Sequence, residues 1–403
     1  MTATDLLKGR GVAALLGLDW PIVQAPMAGG ITTPALVAAS CEAGALGSLG
    51  AAVLAPDRIR GEVAAIRALT RRPFAINLFV LDEPDRFARD GEAEAMARIA
   101  SWRARLGLAE QQPPARVCES FAAQLDAVIE AAPAVVSFHF GIPPAERLAA
   151  LRRAGCRILG GATNVAEARA WAEAGADAIV AQGGEAGGHR GTFVGGFEEG
   201  AVGTMALVPR LVDAVDVPVI AAGGIMDGRG VAAAFALGAQ GVQLGTAFLA
   251  CDESGAHPKW KAALAEADAR GTRLTRVFSG RPARGLVNGF MEALRADEAT
   301  VPVYPVQNAL TAELRAAATK AGEIEAMSLW AGQGAALARP MPAAALVARL
   351  AAEFDAAVGG LAGSADVAGA AGAAGAAGTA GAAEAAGAAV SAGAPRQGRG
   401  TRA

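Results

Sequence analysis

Short apolar runs recur along the first 250 residues, each bounded by Gly or Pro. They occupy residues 21–27, 45–50, 73–79, 134–141, 156–163, 177–184, 217–225 and 241–248. Runs that are continuously apolar over this length are typical of parallel strands with both faces buried. The pattern therefore predicts eight buried strands.

Alanine-rich helical stretches separate these runs, at 33–45, 56–70, 144–155, 164–175 and 228–238. Two of them end at a glycine, Gly175 and Gly238, that is followed almost at once by the next strand. Strands alternating with helices predict an α/β fold. Eight repeats with glycine-ended strands favour a closed TIM (β/α)8 barrel over the alternative, a doubly wound open sheet.

Two interruptions of this spacing indicate the domain organisation. The barrel is predicted over residues 10–250, with a helical insert at about 84–132 between the third and fourth strands. Residues 251–325 contain helical pieces and no clear strand, and we expect a helical second domain covering the active site. A closing helix back on the barrel is expected in 326–360. The Ala/Gly-rich residues 361–403 have no large side chain to bury, which predicts a disordered C-terminal tail.

Composition and charge narrow the function classes. The 403 residues are 53% hydrophobic with a net charge of −3, and the absence of a strongly basic run argues against a nucleic-acid partner. The four cysteines form no CxxC pair, so neither a zinc site nor a disulfide framework is expected. No signal-peptide pattern and no membrane-spanning apolar run is seen, which predicts a cytoplasmic protein without a membrane partner. The sequence leaves a homo-oligomer open.

Two glycine-rich strand ends indicate where a phosphate would bind. The seventh and eighth strands end in "AAGGI" and "QLGT", and each is followed by a helix. Because active sites of such barrels form at the carboxyl ends of the strands, Gly224, Gly245 and Thr246 are expected there. Glycines and helix N-termini bring backbone N–H groups close to an anion. The alternative is that these glycines only form tight turns.

Side-chain amides occur in or just after four of the predicted strands: Gln24, Asn77, Gln182 and Gln243. One buried amide is usually a core residue, but four near one rim favour a planar polar heterocycle. A flavin ring offers both donors and acceptors along its edge. With one phosphate cradle and no GxGxxG followed by an acidic residue, the sequence favours FMN over FAD or NAD.

Two histidines are expected at the same rim. His189 lies in "AQGGEAGGHRGTF", a glycine-rich loop with little apolar cover that we expect to be mobile. An imidazole there can take a proton or bind a substrate anion, although a lone histidine is more often structural. His139, in "SFHFG", is expected to shape the pocket. Glu185 is either a base or a solvated carboxylate, and His257 is given no role. No Ser/His/Asp grouping or HExxH motif supports a hydrolase.

Six segments occur in order over residues 10–350: "QAPMAGGITTPALVAASCEAGALGSLG", "FAINLF", "AQGGEAGGHRGTF", "PVIAAGGI", "GVQLGTAFLAC" and "SLWAGQGAALAR". Together they resemble the nitronate monooxygenases of the bacterial class I type, formerly called 2-nitropropane dioxygenases. The resemblance implies an FMN-containing barrel with a helical second domain. It also implies metal-free oxidation of alkyl nitronates, such as propionate 3-nitronate, by O₂ through single-electron transfer to the flavin. The products would be carbonyl compounds and nitrogen oxides.

The resemblance also implies roles for individual residues. His189 would be the catalytic histidine, with His139 and Tyr304 as substrate-binding residues. The implied FMN contacts are Met27, Asn77, Gln182, Gly187, Gly224, Gln243, Leu244, Gly245 and Thr246. Tyr304 is the chain's one tyrosine, so any further pocket tyrosines of the family are absent. Two other interpretations stay open: a flavin-dependent enoyl reductase-like NAD(P)H oxidoreductase, and a non-redox barrel that binds a phosphate ligand or acts as an isomerase.

Overall fold

Eight parallel strands form the centre of the molecule. The computed structural model describes residues 10–380, with side chains to residue 361. The barrel strands are β1 (Ile22–Gln24), β2 (Gly47–Gly50), β3 (Phe74–Phe79), β4 (Val135–His139), β5 (Arg157–Ala162), β6 (Ala178–Gln182), β8 (Val219–Ala222) and β9 (Gly241–Leu244). The strands of a second sheet are β7 (Gly188–His189), β10 (Thr272–Thr275) and β11 (Ala283–Leu286).

The barrel is closed. The eight strands are hydrogen-bonded in the order β1-β9-β8-β6-β5-β4-β3-β2. The two ends of this order meet through a parallel bridge between Val23 and Leu46. There, Leu46 N donates to Ile22 O and Gln24 N donates to Leu46 O, each over 2.9 Å. The predicted (β/α)8 barrel is confirmed, and the open sheet is excluded.

Helices surround the barrel and build the second domain. Over residues 10–380 they are α1 (Gly11–Leu16), α2 (Pro34–Glu42), α3 (Pro56–Leu69), α4 (Glu92–Arg105), α5 (Phe121–Ala131), α6 (Ala145–Arg153), α7 (Val165–Glu173), α8 (Thr204–Val212), α9 (Gly228–Ala236), α10 (Thr246–Leu249), α11 (Pro258–Leu264), α12 (Ala267–Arg270), α13 (Gly289–Ala293), α14 (Val306–Leu310), α15 (Ala312–Ala321) and α16 (Ala343–Ala380). Their starts follow ordinary capping: Thr33 Oγ1 accepts from Leu36 N at the start of α2, and Asn164 Oδ1 accepts from Glu167 N at the start of α7.

The predicted insert divides between two parts of the molecule. Helix α5 packs against α3 and β3, as a crossover helix of the barrel does. Helix α4 belongs instead to the core of the second domain, where the ring of Trp102 lies 5.4 Å from that of Phe290. Arg103 of α4 also forms an ion pair with Glu313 over 2.6 Å. Chain segments far apart in sequence therefore share one hydrophobic core, because α4 has an apolar face that the barrel does not cover.

The second domain also contains the strands β10 and β11, so the expectation that residues 251–325 lack a strand is wrong. These strands pair antiparallel, and β11 pairs in turn with β7, matching Ala283 with His189 and Arg284 with Gly188. Their sequences, TRLT in β10 and ARGL in β11, contain arginines and lack the continuous apolar run that marks the barrel strands. This small sheet joins the second domain to the predicted active-site loop.

The closing helix begins later than predicted. Residues 326–342 contain the 3₁₀ turn Ala335–Leu337, and α16 starts at Ala343. The ring of Phe354 in the first part of α16 lies 5.8 Å from that of Phe235 in α9, so this part of α16 contacts a helix of the barrel. The backbone of α16 is helical to Ala380, past the predicted start of the tail at 361, and the rest of that tail lies outside the described residues. Within the described helices, none has the length and apolar character needed to cross a bilayer.

Candidate active site

Three residues predicted for the site come together in one aromatic pocket. The ring of His189 lies 5.5 Å from that of Tyr304 and 5.9 Å from that of Phe79. Phe79 also lies 6.4 Å from His139. Phe79 and His139 end β3 and β4, while Tyr304 comes from the second domain just before α14. The pocket therefore forms at the carboxyl ends of the barrel strands, where the second domain covers them.

Contacts on both sides fix the glycine loop, residues 183–193, which we had expected to be mobile. On the barrel side, Gln182 Nε2 donates to His189 O over 2.9 Å, and Gln182 Oε1 accepts from Gly191 N over 2.8 Å. On the side of the second domain, Arg190 N donates to Pro282 O over 2.8 Å, beside the β7–β11 pairing. The loop holds His189 in place because its backbone groups are bonded to two separate parts of the fold.

Three arginines add further bonds to this loop. Arg190 is buried inside it, and Arg281 and Arg284 reach it from the second domain. Their side chains donate over 2.5–3.0 Å to backbone carbonyls of Gln182, Gly183, Gly184, Arg190, Thr192 and Gly200. A loop of glycines has few side chains of its own to fix it, so one guanidinium group from within the loop and two from the second domain provide these bonds.

Gly187 lies against the backbone of the segment 331–334. A Cβ atom there would lie 2.6 Å from both Ala331 C and Gly332 N. Gly332 N donates to Thr246 Oγ1 over 2.9 Å, so this segment connects the loop to the end of β9. The glycine is needed for this close approach between two backbones. This contact was not predicted, because the segment 331–334 is remote from Gly187 in sequence and does not follow a predicted strand.

Glu185 is neither a base facing the pocket nor a solvated carboxylate. Its two oxygens accept from Thr204 N over 3.0 and 2.8 Å, and one also accepts from Thr204 Oγ1 over 2.8 Å. The residue before α8 is Gly203, which has no side chain to cap the helix. Glu185 provides that cap from the loop, and this bonding leaves it no catalytic role.

The four amides have different roles. Gln24 bonds with both ends of its amide to the backbone of Ser48 across the barrel closure, and Gln182 braces the glycine loop. Asn77 donates to Ser137 Oγ over 2.9 Å. In the described part of the chain, Asn77 Oδ1 and the whole side-chain amide of Gln243 have no hydrogen-bond partner. Gln24 and Gln182 thus bond to the protein backbone with both ends of their amides, whereas Asn77 and Gln243 keep polar groups free at the rim.

The strand ends fit a flavin with a phosphate. Gly223 and Gly224 have φ angles of 116° and 73° after β8, a conformation that exposes backbone N–H groups and suits glycine. After β9, Gly245 precedes the first turn of α10, where Thr246 begins the helix. The first N–H groups of a helix have no partner within it. With the free amide groups of Asn77 and Gln243, the site offers anion-binding donors and ring-binding polar groups.

Met27 and Leu244, the two other strand-end residues predicted to contact the cofactor, offer fewer free polar groups than Asn77 and Gln243. Met27 is half-buried, and its carbonyl accepts from Thr32 N and Thr32 Oγ1 over 3.1 and 3.0 Å, which fixes the turn after β1. The side chain of Leu244 is buried, and its carbonyl accepts from Ala25 N over 2.9 Å. Both lie at the correct end of the barrel, and their contact with a cofactor stays a prediction.

Charge in the pocket resides on arginines and not on histidines. Burial, together with the nearby cations Arg281 and Arg315, lowers the pKa of His189 to about 3. Burial likewise lowers the pKa of His139 to about 4 and raises the pKa of Tyr304 above its ordinary value. Burial lowers the pKa of Arg281 and of Arg315 to about 10, which keeps both charged at neutral pH. The pocket is thus neutral at its histidines and positive at two guanidinium groups.

These shifts predict a pH dependence of stability. An unfolded histidine binds a proton below about pH 6.5, whereas His189 and His139 in the folded state bind one only near pH 3 and 4. Because the unfolded state binds more protons in this window, the free energy of unfolding should fall as the pH drops from 6.5 to 4. We expect a loss of about 3 kcal/mol for each histidine. Urea unfolding of the wild type and of His189→Asn at several pH values measures the free energy of unfolding. If this free energy changed with pH equally in both proteins, the contribution of His189 would be contradicted.

Several pocket residues were not found from the sequence. Ser279 Oγ lies 2.8 Å from His189 Nε2, and Arg281 stacks on Phe140 with its guanidinium carbon 3.7 Å from the ring centroid. Phe140 itself has a φ of 75°, unusual for a residue with a side chain. One signal was available: "FSGRPARG" places two arginines in a short Gly/Pro-containing segment.

The family model for nitronate monooxygenase matches residues 13–353. The chain belongs to the nitronate monooxygenase family. It is 46% identical over 358 residues to a nitronate monooxygenase of Paraburkholderia phytofirmans, covering 87% of this chain and 96% of that protein. It is 44% identical over 324 residues to a probable nitronate monooxygenase of Bacillus subtilis, covering 79% and 90%.

Solved structures agree with this family. A crystal structure of nitroalkane oxidase from Streptomyces ansochromogenes is 46% identical, superposes with a TM-score of 0.80, and covers 86% of this chain and 99% of that one. FabK from Thermotoga maritima is 31% identical with a TM-score of 0.68, covering 87% and 98%. The protein is accordingly a flavin-dependent enzyme that oxidises nitronates. Within the described residues, no group of His, Cys, Asp or Glu side chains could hold a metal ion.

Proposed function

We propose that the enzyme uses FMN to oxidise alkyl nitronates such as propionate 3-nitronate with O₂ to carbonyl compounds and nitrogen oxides. The observation that supports this most strongly is the charge of the pocket, which is positive at two arginines and neutral at both histidines. Such a pocket suits a substrate that enters as an anion. An anionic nitronate needs binding and orientation rather than removal of a proton.

FMN is proposed because the glycines after β8 and the start of α10 would together hold a single phosphate group. Gly224, Gly245 and Thr246 would hold the phosphate, while Asn77 and Gln243 would bond to the ring edge. The other proposed contacts, Met27, Gln182, Gly187 and Leu244, surround these positions. When bound, the flavin supplies the redox chemistry by accepting a single electron from the nitronate. The protein supplies orientation and charge.

The two arginines are the proposed anion-binding groups. Arg315 Nε donates to Thr311 Oγ1 over 3.1 Å, and one terminal nitrogen donates to Asn308 Oδ1 over 2.8 Å. Among the described residues, no carboxylate forms an ion pair with Arg281 or Arg315. A buried cation without a counter-ion is unfavourable, so a bound anion would stabilise this arrangement. His139 and Tyr304 would border the same substrate, and neutral His189 would contact it without attracting it by charge.

The test is an aerobic assay with propionate 3-nitronate beside an NAD(P)H oxidation control. We expect rapid O₂ uptake with the nitronate, little NAD(P)H oxidation, and FMN as the flavin released on denaturation, identified by mass spectrometry. Rapid anaerobic flavin reduction by NAD(P)H without nitronate turnover would favour the reductase alternative. A colourless protein that does not take up FMN would favour the non-redox barrel.

The variant Arg315→Gln extends this assay to the proposed anion site. Losing a charged hydrogen bond costs about 1.5–3 kcal/mol, so kcat/KM for propionate 3-nitronate should fall roughly tenfold or more. The value of kcat/KM for ethyl nitronate, which lacks the carboxylate of propionate 3-nitronate, should fall less. The matched control is Arg58→Gln, because the side chain of Arg58 is 72% exposed. Equal losses for both substrates would argue against a charge-selective role.

A further inference from the structure

The hydrogen bonds of Ser279 point to a positioning role beyond the proposed function. We infer that Ser279 fixes the tautomer of His189, with the proton on Nε2 and the lone pair on Nδ1. Ser279 would therefore act through the histidine and not on the substrate. The inference depends on three contacts of one hydroxyl group.

The hydroxyl of Ser279 can donate one hydrogen bond through its proton and accept two through its lone pairs. Its oxygen lies 3.1 Å from Arg281 O, 3.4 Å from Arg281 N and 2.8 Å from His189 Nε2. A carbonyl oxygen can only accept, and a backbone N–H can only donate. The proton of the hydroxyl therefore points to Arg281 O, and both lone pairs accept. His189 Nε2 must then be the donor.

The opposite tautomer would leave a carbonyl without a partner. If His189 Nε2 carried a lone pair, Ser279 would have to turn its proton toward the histidine. Among the described residues, Arg281 O accepts no other hydrogen bond, so it would lose its one donor. A carbonyl left without a partner costs free energy, which favours the Nε2–H form.

The fold holds this hydroxyl in place. Ser279 is 1% exposed and lies in the turn between β10 and β11. In this turn, the backbone N–H groups of Ser279 and Gly280 both donate to Arg276 O, over 3.1 and 2.7 Å. The next strand, β11, pairs with the strand that carries His189, matching Ala283 with His189. The same short sheet thus fixes both partners of the hydrogen bond.

The consequence is that Nδ1 is the open basic atom of His189. In the described part of the chain it has no hydrogen-bond partner, and Phe79, Phe140, Tyr304 and Trp330 surround the ring within 6 Å. With a neutral nitroalkane as substrate, Nδ1 would take the proton from the carbon next to the nitro group. The C–H bond breaks, an N–H bond forms, and the electron pair passes into the nitro group to give the nitronate. With a nitronate as substrate no proton moves.

Nitrogen-15 NMR of the flavin-loaded protein, labelled at histidine, tests the assignment directly. The chain has three histidines, so the spectrum is simple, and His139→Gln and His257→Asn assign the other two signals. We expect wild-type His189 to show a protonated Nε2 and an unprotonated Nδ1, Ser279→Thr to keep this pattern, and Ser279→Ala to give a mixture. A wild-type protein with the proton on Nδ1, or an unchanged pattern in Ser279→Ala, would overturn the inference.

A second readout separates positioning from structural damage. In Ser279→Ala, turnover of nitroethane should fall roughly tenfold or more, because only that substrate needs the base, while turnover of ethyl nitronate stays within about twofold. Ser40→Ala is the control, a buried serine on α2 whose hydroxyl has no partner among the described residues. Equal losses for both substrates would contradict a tautomer role. If the wild type fails to oxidise ethyl nitronate, the proposed function fails, and the NMR result still decides the tautomer.

Discussion

Replacing His189 with asparagine is expected to lower nitroethane turnover by about 10²-fold or more while changing ethyl nitronate turnover less than about tenfold. The reason is that only the neutral nitroalkane must lose a proton, and asparagine cannot accept one. Stopped-flow measurement of flavin reduction under anaerobic conditions, with each substrate in turn, separates the two effects. Asparagine preserves a polar side chain of similar reach, which limits disturbance of the pocket.

The lowered pKa of His189 adds a prediction about the wild type. An imidazole with a pKa of about 3 is neutral throughout the usual assay range but holds a proton weakly. Proton transfer from a nitroalkane to it is therefore uphill, so nitronates should be oxidised much faster than nitroalkanes. His257→Asn is the matched control, because His257 only caps α11 through Lys259 N and asparagine caps helices well. A large loss with ethyl nitronate in His189→Asn would show that the histidine binds the anion.

Replacing Gly187 with alanine is expected to weaken flavin retention roughly tenfold or more. The added Cβ would lie 2.6 Å from two backbone atoms of the segment 331–334, and neither can move as a flexible side chain does. Forcing such a contact apart costs about 1–3 kcal/mol, and tenfold weaker binding corresponds to 1.4 kcal/mol. The displacement would pass to Thr246, which is bonded to Gly332.

Flavin content after dialysis and thermal unfolding with and without added FMN measure this effect. Gly61→Ala is the control, since Gly61 lies in α3 with no atom within 4 Å of its Cβ position, and alanine should stabilise the helix there. If Gly187→Ala binds flavin as the wild type does, the backbone contact can relax, and the proposed cofactor position beside this loop loses its support.

The sequence predicted the barrel correctly. Each of the eight strands was visible because a parallel strand buried on both faces is apolar at every position, and its signal is local. The placement of His189, His139 and Asn77 at one rim followed from the rule that parallel strands in a barrel end on the same side. These conclusions needed only the order of the elements along the chain.

The helical insert shows where local patterns stop being sufficient. Residues 92–105 were correctly predicted as helical, but nothing in the pattern showed that α4 would pack on α13 and α14 of the second domain while α5 stayed with the barrel. An apolar helix face indicates that the helix packs against another element, but it does not indicate which element that is. The strands β10 and β11 were missed because their sequences, TRLT and ARGL, contain arginines and no continuous apolar run, and their stability comes from pairing with each other and with β7.

The sequence by itself determined the fold class and the family, and it predicted part of the set of residues at the rim. The tertiary structure alone decided what those residues can do. It showed that Glu185 caps a helix, that Gln24 closes the barrel, and that the glycine loop is fixed by Arg281 and Ser279 from a distant segment. Charge, tautomer and rigidity depend on neighbours in space, and hydrogen bonds between residues about 90 positions apart leave no local signal in a single sequence.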